Sequence, residues 1–313
     1  MDRLADLSVI IVNWNARQRL REALTSIERQ AEELRPETWV VDNGSTDGSV
    51  ELVEAQFPWV RLLVNRENLG FARASNQALS LAQGRHILFL NPDTRLLPEA
   101  LSILTRFLDH HPRTGGVGPQ ILSPEGRIQP SCRRFPTLGT VFWETTGLDR
   151  AFPRHPFLGR YLLGDWDHQT LRRVDQPMGA CLMVRRAALD QVGPFDERFF
   201  LFFEEVDLCH RLKSAGWDIY FVPQAQIIHY GGQSTRQNYR RTAWLFHSSR
   251  YKYFRKHFGR GQEWLVRALM VASFPWQLLL RIVLLLSRPM ERDKIARHFT
   301  AVMVQLVAAL WPG

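Results

Sequence analysis

Apolar residues in the first part of the chain come in short unbroken runs, not in alternation with polar ones. Residues 7–13 (LSVIIVN), 39–41, 60–64 and 86–90 (HILFL) read as strands. Runs with no polar face belong to a parallel sheet covered on both sides. Helices are expected between them at 17–34, 48–57 and 70–83. Ser45 or Thr46 is expected to cap the second and Gly84 to end the third, and Pro98 to open another. Alternation of this kind requires right-handed crossovers.

Farther along, the pattern changes. Residues 115–175 mix Pro, Gly, Arg and aromatic side chains and read as sheet extension and loops. An apolar segment at 178–184, a Pro194-Phe195-Asp196 turn, a helix at 204–215 ending at Gly216, and a last strand within 218–229 follow. Pro223 confines part of that strand to an edge or bend. Residues 264–287 and 299–311 are strongly apolar. On a helical wheel of 263–288, Glu263, Arg267, Gln277, Arg281 and Arg288 fall within about 40° of one another. That stripe predicts an interfacial helix with its polar side in lipid headgroups, or else a segment packed on the catalytic domain or in a dimer interface. A spanning helix would instead carry Arg281 through hydrocarbon and be kinked at Pro275.

Composition narrows the class. The 313 residues are 45% hydrophobic and 23% charged, as in a folded globular protein. The cysteines Cys132, Cys181 and Cys209 are widely spaced and lack metal-ligand pairing, as expected of reduced, buried thiols in a cytoplasmic protein. The first apolar run is too short for a signal-peptide core. Net charge is +9, with basic residues concentrated from Arg236 through Arg240, Arg241, Arg250, Lys252, Arg255 and Lys256 to Arg260. Because this cluster leads into apolar segments rich in Trp and Phe, it indicates an anionic membrane surface and not nucleic acid. The catalytic part is expected to span 1–235, and a basic, amphipathic helical tail 236–313.

Carboxylates mark the candidate chemistry. Asp42 and Asp93 each follow a strand, so both belong to the carboxyl edge of the sheet, where open α/β sheets bind ligands. Asp42 can accept from ribose hydroxyls or a base N–H, or close an Asx-turn. Asp93, in Asn91-Pro92-Asp93-Thr94, suits a hard divalent cation holding a diphosphate, or a simple strand-to-helix turn. In Phe199-Phe200-Leu201-Phe202-Phe203-Glu204-Glu205-Val206-Asp207, Asp207 is placed to pair with Arg211. Glu204 and Glu205 stand behind an aromatic wall, where desolvation raises a carboxyl towards a useful base. His229, after Ile227-Ile228 and before Tyr230-Gly231-Gly232, is either structural or a partner to Asp93 around an ion such as manganese. No G-x-G-x-x-G follows the first strand, where Asn13-Trp14-Asn15 stands instead, which argues against a dinucleotide oxidoreductase.

Six motifs in order resemble glycosyltransferase family 2, the inverting nucleotide-sugar transferases. They are SVIIVNWN (8–15), VVDNGSTDGS (40–49), NLGFARASNQAL (68–79), FLNPDT (89–94), MGACLMVRRAAL (178–189) and GPFDERFFLFFEEVDLCHRLKSAGW (193–217). The chain is most similar to bacterial rhamnosyltransferase-like members. The resemblance implies a GT-A type fold, a Rossmann-like, mainly parallel sheet flanked by helices. It implies a nucleoside diphosphate sugar donor, a lipid-linked or cell-surface glycan acceptor, and a divalent cation, Mg2+ or Mn2+. Asn13, Asn15, Asp42, Asn43, Gly70, Asn76, Asn91 and Asp93 are implied to line the donor, Asp93 and His229 to hold the metal, and Glu205 or Glu204 to act as base. Asn91 stands where many relatives have an acid, leaving less charge on the metal. The expected location is the cytoplasmic face of the plasma membrane. A non-catalytic membrane scaffold that keeps the transferase fold is the alternative.

Overall fold

A computed structural model describes residues 6–30, 34–231, 239–287 and 292–310. The chain divides into two compact units. The first comprises 1–135, 166–200 and 204–234, and the second 136–165, 201–203 and 235–313.

The first unit is built on one mixed, mostly parallel sheet. Its strands are β1 (Leu7–Asn13), β2 (Glu37–Asp42), β3 (Arg61–Val64), β4 (His86–Leu90), β5 (Thr94–Leu96), β6 (Thr114–Leu122), β7 (Ile128–Gln129), β8 (Cys132–Arg133), β9 (Arg172–Arg173), β10 (Gln176–Pro177), β11 (Cys181–Arg185) and β12 (Asp218–His229). The sheet order is β3-β2-β1-β4-β11-β6-β12-β5, with β7 on β6 and β9 on β12, while β8 and β10 pair separately. β1 to β4 are parallel, β11 runs against β4 and β6, and β5 runs against β12. Every residue of β1 and β4 is buried, as their unbroken apolar runs predict.

Helices α1 (Arg17–Glu28), α2 (Ser49–Gln56), α3 (Phe71–Leu79) and α4 (Ala100–His110) flank this sheet. Val9, Ile11, Leu88, Leu90 and Val117 form its central core with Leu20, Leu24, Leu101 and Leu104. Pro223 lies where the β12–β6 register shifts between Val222 and Gln226, so the missing N–H falls at an irregularity.

Several local expectations are corrected. α1 stops at Glu28, short of 34. Neither Ser45 nor Thr46 caps α2: Asp47 accepts from the Ser49 amide at 3.1 Å, while Ser45 turns to the strand ends. Gly84 does not end α3, which finishes at Leu79 with Ser80 following. Its role is close approach, because a Cβ there would lie 2.4 Å from the Ser8 nitrogen. Within 115–175, helices α5 (Leu138–Thr146) and α6 (Leu148–Ala151) form where loops were expected, α5 through a capping box between Thr137 and Thr140. The first unit also contains α7 (Arg186–Val192) and α8 (Glu204–Ser214).

The second unit is helical: α5, α6, α9 (Tyr239–Ala272, bent at Gly259), α10 (Phe274–Ser287) and α11 (Arg292–Leu310). Among the described residues no helix is long and apolar enough to cross a membrane. The expected outward polar stripe is inverted. Glu263, Arg267 and Gln277 are buried, whereas Trp264, Leu265, Trp276, Leu279, Ile282 and Val283 are exposed. α11 is the reason. Arg267 pairs with Glu263 at 2.9 Å and donates to the Ala308 and Ala309 carbonyls at 3.0 and 3.2 Å. A cation there satisfies the orphan carbonyls of the last turn of α11. Arg250, expected to face lipid, is also buried and pairs with Glu144 at 2.8 Å. Arg236, Gly232, Arg288 and Trp311 lie outside the described residues, as does the side chain of Arg281.

Candidate active site

Strand register collects the candidate residues on one edge of the first unit's sheet. Asn13 stands opposite Asp42, and Ile11 opposite Leu90, so Asn13, Asp42 and Asn91 leave the sheet side by side. β11 arrives at that edge from the other direction, with Cys181 opposite Leu90 and the Asn91 amide donating to the Ala180 carbonyl at 2.9 Å. β12 ends there with His229 opposite Thr94, and the Tyr230 amide donates to the Asp93 carbonyl at 3.0 Å.

Asp42 is buried and held from two sides. Its Oδ1 accepts from the Ser45 amide at 2.8 Å, which closes the turn, and its Oδ2 accepts from Asn13 Nδ2 at 2.9 Å. The Ser45 hydroxyl accepts in turn from the Asn15 amide, and Asn15 Oδ1 accepts from the Thr46 amide. Asn13 Oδ1 is buried with no hydrogen-bond partner, an acceptor left over at the edge. Asn43 and Asn76 spend their carboxamides on the fold. Asn43 bonds Asn65, Asn68, Leu69 and Gly70, and Asn76 ties down Phe195 and Glu197. Gly70, at φ 84°, admits the Phe200 carbonyl so closely that a Cβ would meet it at 2.5 Å.

Asp93 and His229 face each other, with Oδ1 and Nε2 3.3 Å apart and both side chains largely buried. His229 Nδ1 is buried without a hydrogen-bond partner. A carboxylate oxygen and an imidazole nitrogen are donors that manganese accepts. Among the described residues no group of three or more His, Cys, Asp or Glu able to hold a metal ion occurs. An ion at this pair would therefore draw its other ligands from substrate oxygens and water, the ordinary mode for a hard cation on a diphosphate.

The acids of α8 divide by burial. Asp207 is fully buried and pairs with Arg211 at 2.8 Å, and Arg211 also binds the carbonyls of Val192, Gly193 and Pro194. That ion pair serves the fold. Glu204 is buried, with Oε2 lacking a hydrogen-bond partner, and burial together with the adjacent Glu205 charge pushes its carboxyl well above the usual range. Glu205 is half-buried, and its side chain lies against Gly179, where a Cβ would come 3.0 Å from Glu205 Cγ. The chain enters α8 through Phe202 and Phe203 at φ 67° and 68°, a conformation that bulky residues rarely adopt. Asp196, in the Pro194-Phe195-Asp196 turn, pairs with Arg198 at 2.5 Å.

Sequence patterns did not expose two of these features. Gly179 lies inside a quoted motif, but its facing of Glu205 depends on β11 meeting α8. Ser45 carries a helix-cap signature, yet its hydroxyl and amide bind the strand-end residues Asn13, Asn15 and Asp42.

Asp42, Asp93 and His229 gathered on the carboxyl edge of an α/β sheet mark a ligand site suited to a nucleotide and a cation, and comparison with known proteins gives its class. Residues 8–163 match the family model described as "Glycosyl transferase family 2", and 157–312 match "Glycosyl transferase family group 2". The chain is 33% identical over 245 residues to N-acetylglucosaminyl-diphospho-decaprenol L-rhamnosyltransferase of Mycobacterium tuberculosis, covering 73% of this chain and 77% of that protein. It belongs to glycosyltransferase family 2 and is a glycosyltransferase. Solved structures share its GT-A fold. The mannosyltransferase PcManGT from Pyrobaculum calidifontis, in complex with GDP-Man and Mn2+, has a TM-score of 0.59 at 17% identity over 99% of this chain and 88% of that one. GalNAc-T7 with UDP, GalNAc and Mn2+ has a TM-score of 0.55 at 14% identity over 80% and 48%.

Proposed function

We propose that the protein transfers a deoxyhexose such as rhamnose from a nucleoside diphosphate to a hydroxyl of a lipid-linked glycan, inverting the anomeric carbon. Three things support this reading: the gathering of Asp42, Asp93, His229 and Glu205 on one sheet edge, the rhamnosyltransferase likeness, and that relative's lipid diphosphate substrate. The first of these carries it.

Glu205 takes the proton of the acceptor hydroxyl. Glu204 is enclosed, and burial pushes its carboxyl well above the usual range, so the base role falls to its more exposed neighbour. Asp42, fixed by Asn13 and Ser45, accepts from the nucleoside. Asp93 and His229 would hold a divalent cation, Mg2+ or Mn2+, which supplies charge stabilisation for the departing diphosphate. With donor and acceptor on one rigid edge, positioning contributes much of the rate.

We further propose that the protein works on the cytoplasmic face of the plasma membrane. The exposed Trp264, Leu265, Trp276, Leu279, Ile282 and Val283 would enter the interface, with Arg255 and Arg260 at the anionic surface. In this arrangement the apolar face is the outward one and the polar stripe is internal.

A thermal-shift screen of nucleotide sugars, with and without Mn2+ or Mg2+, tests the donor site. The expected result is metal-dependent stabilisation by one nucleoside diphosphate sugar, with nucleoside diphosphate release once lipid-linked acceptor is added. A chain that binds vesicles but neither binds nor cleaves any nucleotide sugar is the non-catalytic scaffold instead.

A further inference from the structure

Residues 150–160 (RAFPRHPFLGR) carry none of the chemistry described so far. They lead out of α6 in the second unit, and 151–157 is an unbroken run of exposed residues. Phe152 and Phe157 are 54% and 59% exposed, two large apolar rings left in water within one short loop.

The loop holds its shape through its backbone. The His155 amide donates to the Phe152 carbonyl at 3.1 Å, and His155 Nδ1 accepts from the Phe157 and Leu158 amides, both at 3.2 Å. The Gly159 amide donates to the His155 carbonyl at 2.9 Å. Behind this turn, Gly159 and Gly164 lie so close to the Pro153 carbonyl that neither position admits a side chain. Both rings are therefore held outward by a formed turn.

Their apolar surface continues onto α5 and reaches α10. Phe157 meets Trp143 edge-on at 5.5 Å between ring centres, and Trp143 meets the exposed Phe142 at 4.9 Å. One turn farther along α5, the Thr146 carbonyl accepts from Nε1 of the exposed Trp276 on α10 at 3.3 Å.

Charge identifies the partner. Arg150, Arg154 and Arg160 are exposed, and 150–164 contains no carboxylate. A two-fold contact between copies would set this surface against itself and oppose like charges. Aromatic rings flanked by arginines suit the headgroup layer of an anionic bilayer, where rings reach the acyl boundary and guanidinium groups reach phosphates.

We propose that 150–160 is a second point of attachment to an anionic membrane, with Phe152 and Phe157 inserted at the headgroup boundary and the three arginines on lipid phosphates. The proposal rests on the membrane reading of α9 and α10 and adds a contact distant from them in sequence. Two attachments on one unit fix that unit's tilt at the surface, where one alone would leave it free to turn.

Cys132, Cys181 and Cys209 are all buried, so Phe152→Cys in the full chain can be labelled selectively with a nitrobenzoxadiazole fluorophore. Vesicles of phosphatidylcholine, with and without phosphatidylglycerol, serve as the membrane. On the anionic vesicles the label's emission is expected to rise severalfold and shift to the blue. In unlabelled protein, Phe152→Ser with Phe157→Ser should weaken anionic-vesicle binding by about tenfold or more, from the loss of two partly buried rings. Arg154→Gln with Arg160→Gln should weaken it by about fivefold per charge and leave binding to pure phosphatidylcholine unchanged. All four side chains are exposed, so melting temperatures should match wild type. A label that stays dim on vesicles with which the protein floats overturns the proposal and leaves the α9–α10 anchor standing. Unaltered affinity in both double variants overturns it as well. Brightening that grows with protein concentration and needs no lipid puts a second copy on this surface, and the proposal falls. Absence of wild-type flotation altogether removes the membrane reading and this attachment with it.

Discussion

In the sheet-bearing unit, Val9, Ile11, Leu88 and Leu90 are sealed inside, and the polar residues that matter sit at strand ends. In the helical unit, Glu263, Arg267 and Gln277 are inside and Trp264, Trp276, Leu279 and Val283 face out. Both arrangements satisfy buried polar groups. Asp42 is met by Asn13 and Ser45, and Arg267 by Glu263 and two carbonyls. They differ in what the outer surface meets. The sheet edge keeps Asn13 Oδ1 and His229 Nδ1 without hydrogen-bond partners, as a site for polar substrates does. The helices turn large apolar side chains outward, which suits a surface that is not bulk water.

Four changes would break or sharpen that contrast. Glu205→Gln should have the largest effect, a fall in turnover of up to about 10⁴-fold with donor binding unchanged, because a base acts on the acceptor and not on the diphosphate. Single-turnover rates alongside donor Kd check it, and a defect confined to Kd would remove Glu205 from the base role. Asp93→Asn keeps size and turn propensity while removing a charge. Transfer should drop by about 10²–10³-fold with the fold retained, and activity near wild type would refute its cation role.

On the helical side, polar replacement of Trp276, Leu279 and Val283 should weaken vesicle binding by about tenfold per side chain. High salt should release little of the wild type, since apolar burial survives charge screening. Wild-type flotation by the triple variant would place the anchor elsewhere. This test is cleaner than truncation near residue 260, which would remove Val266 and Met270, both buried in the helical unit's own packing.

The smallest effect is expected from Glu204→Gln. The folded-state carboxyl titrates well above its unfolded value near 4.5, so the folded protein holds the proton longer. Stability from this group is present at low pH and declines as pH rises from about 4.5 towards the folded value. The neutral glutamine removes that decline. A melting temperature higher by a few degrees at pH 8 than in wild type, with no gain at pH 4, is the expected pattern. Equal shifts at both pH values would show that Glu204 does not titrate this way.

The strand spans were legible because full burial on both faces leaves an unbroken apolar run, as in 7–13 and 86–90. The helix at 204–214 was read to within a residue, helped by Gly216, and the last strand fills the 218–229 stretch within which it was expected. Acids directly after such strands must lie on the carboxyl edge of a parallel sheet, so Asp42 and Asp93 could be placed without coordinates. Periodicity gives the angular spacing of side chains along an element, but not which face another element will cover. The 263–277 stripe was therefore correct as a stripe and inverted in direction, because the carbonyls of α11 claim Arg267. The same limit applies to the acid pair. Glu204 and Glu205 are equivalent in sequence, and only packing, which buries one and lays the other against Gly179, tells them apart. Residue order determined the sheet, its edge and the family. Tertiary contact decided which polar groups are enclosed, since desolvation depends on neighbours distant in the chain.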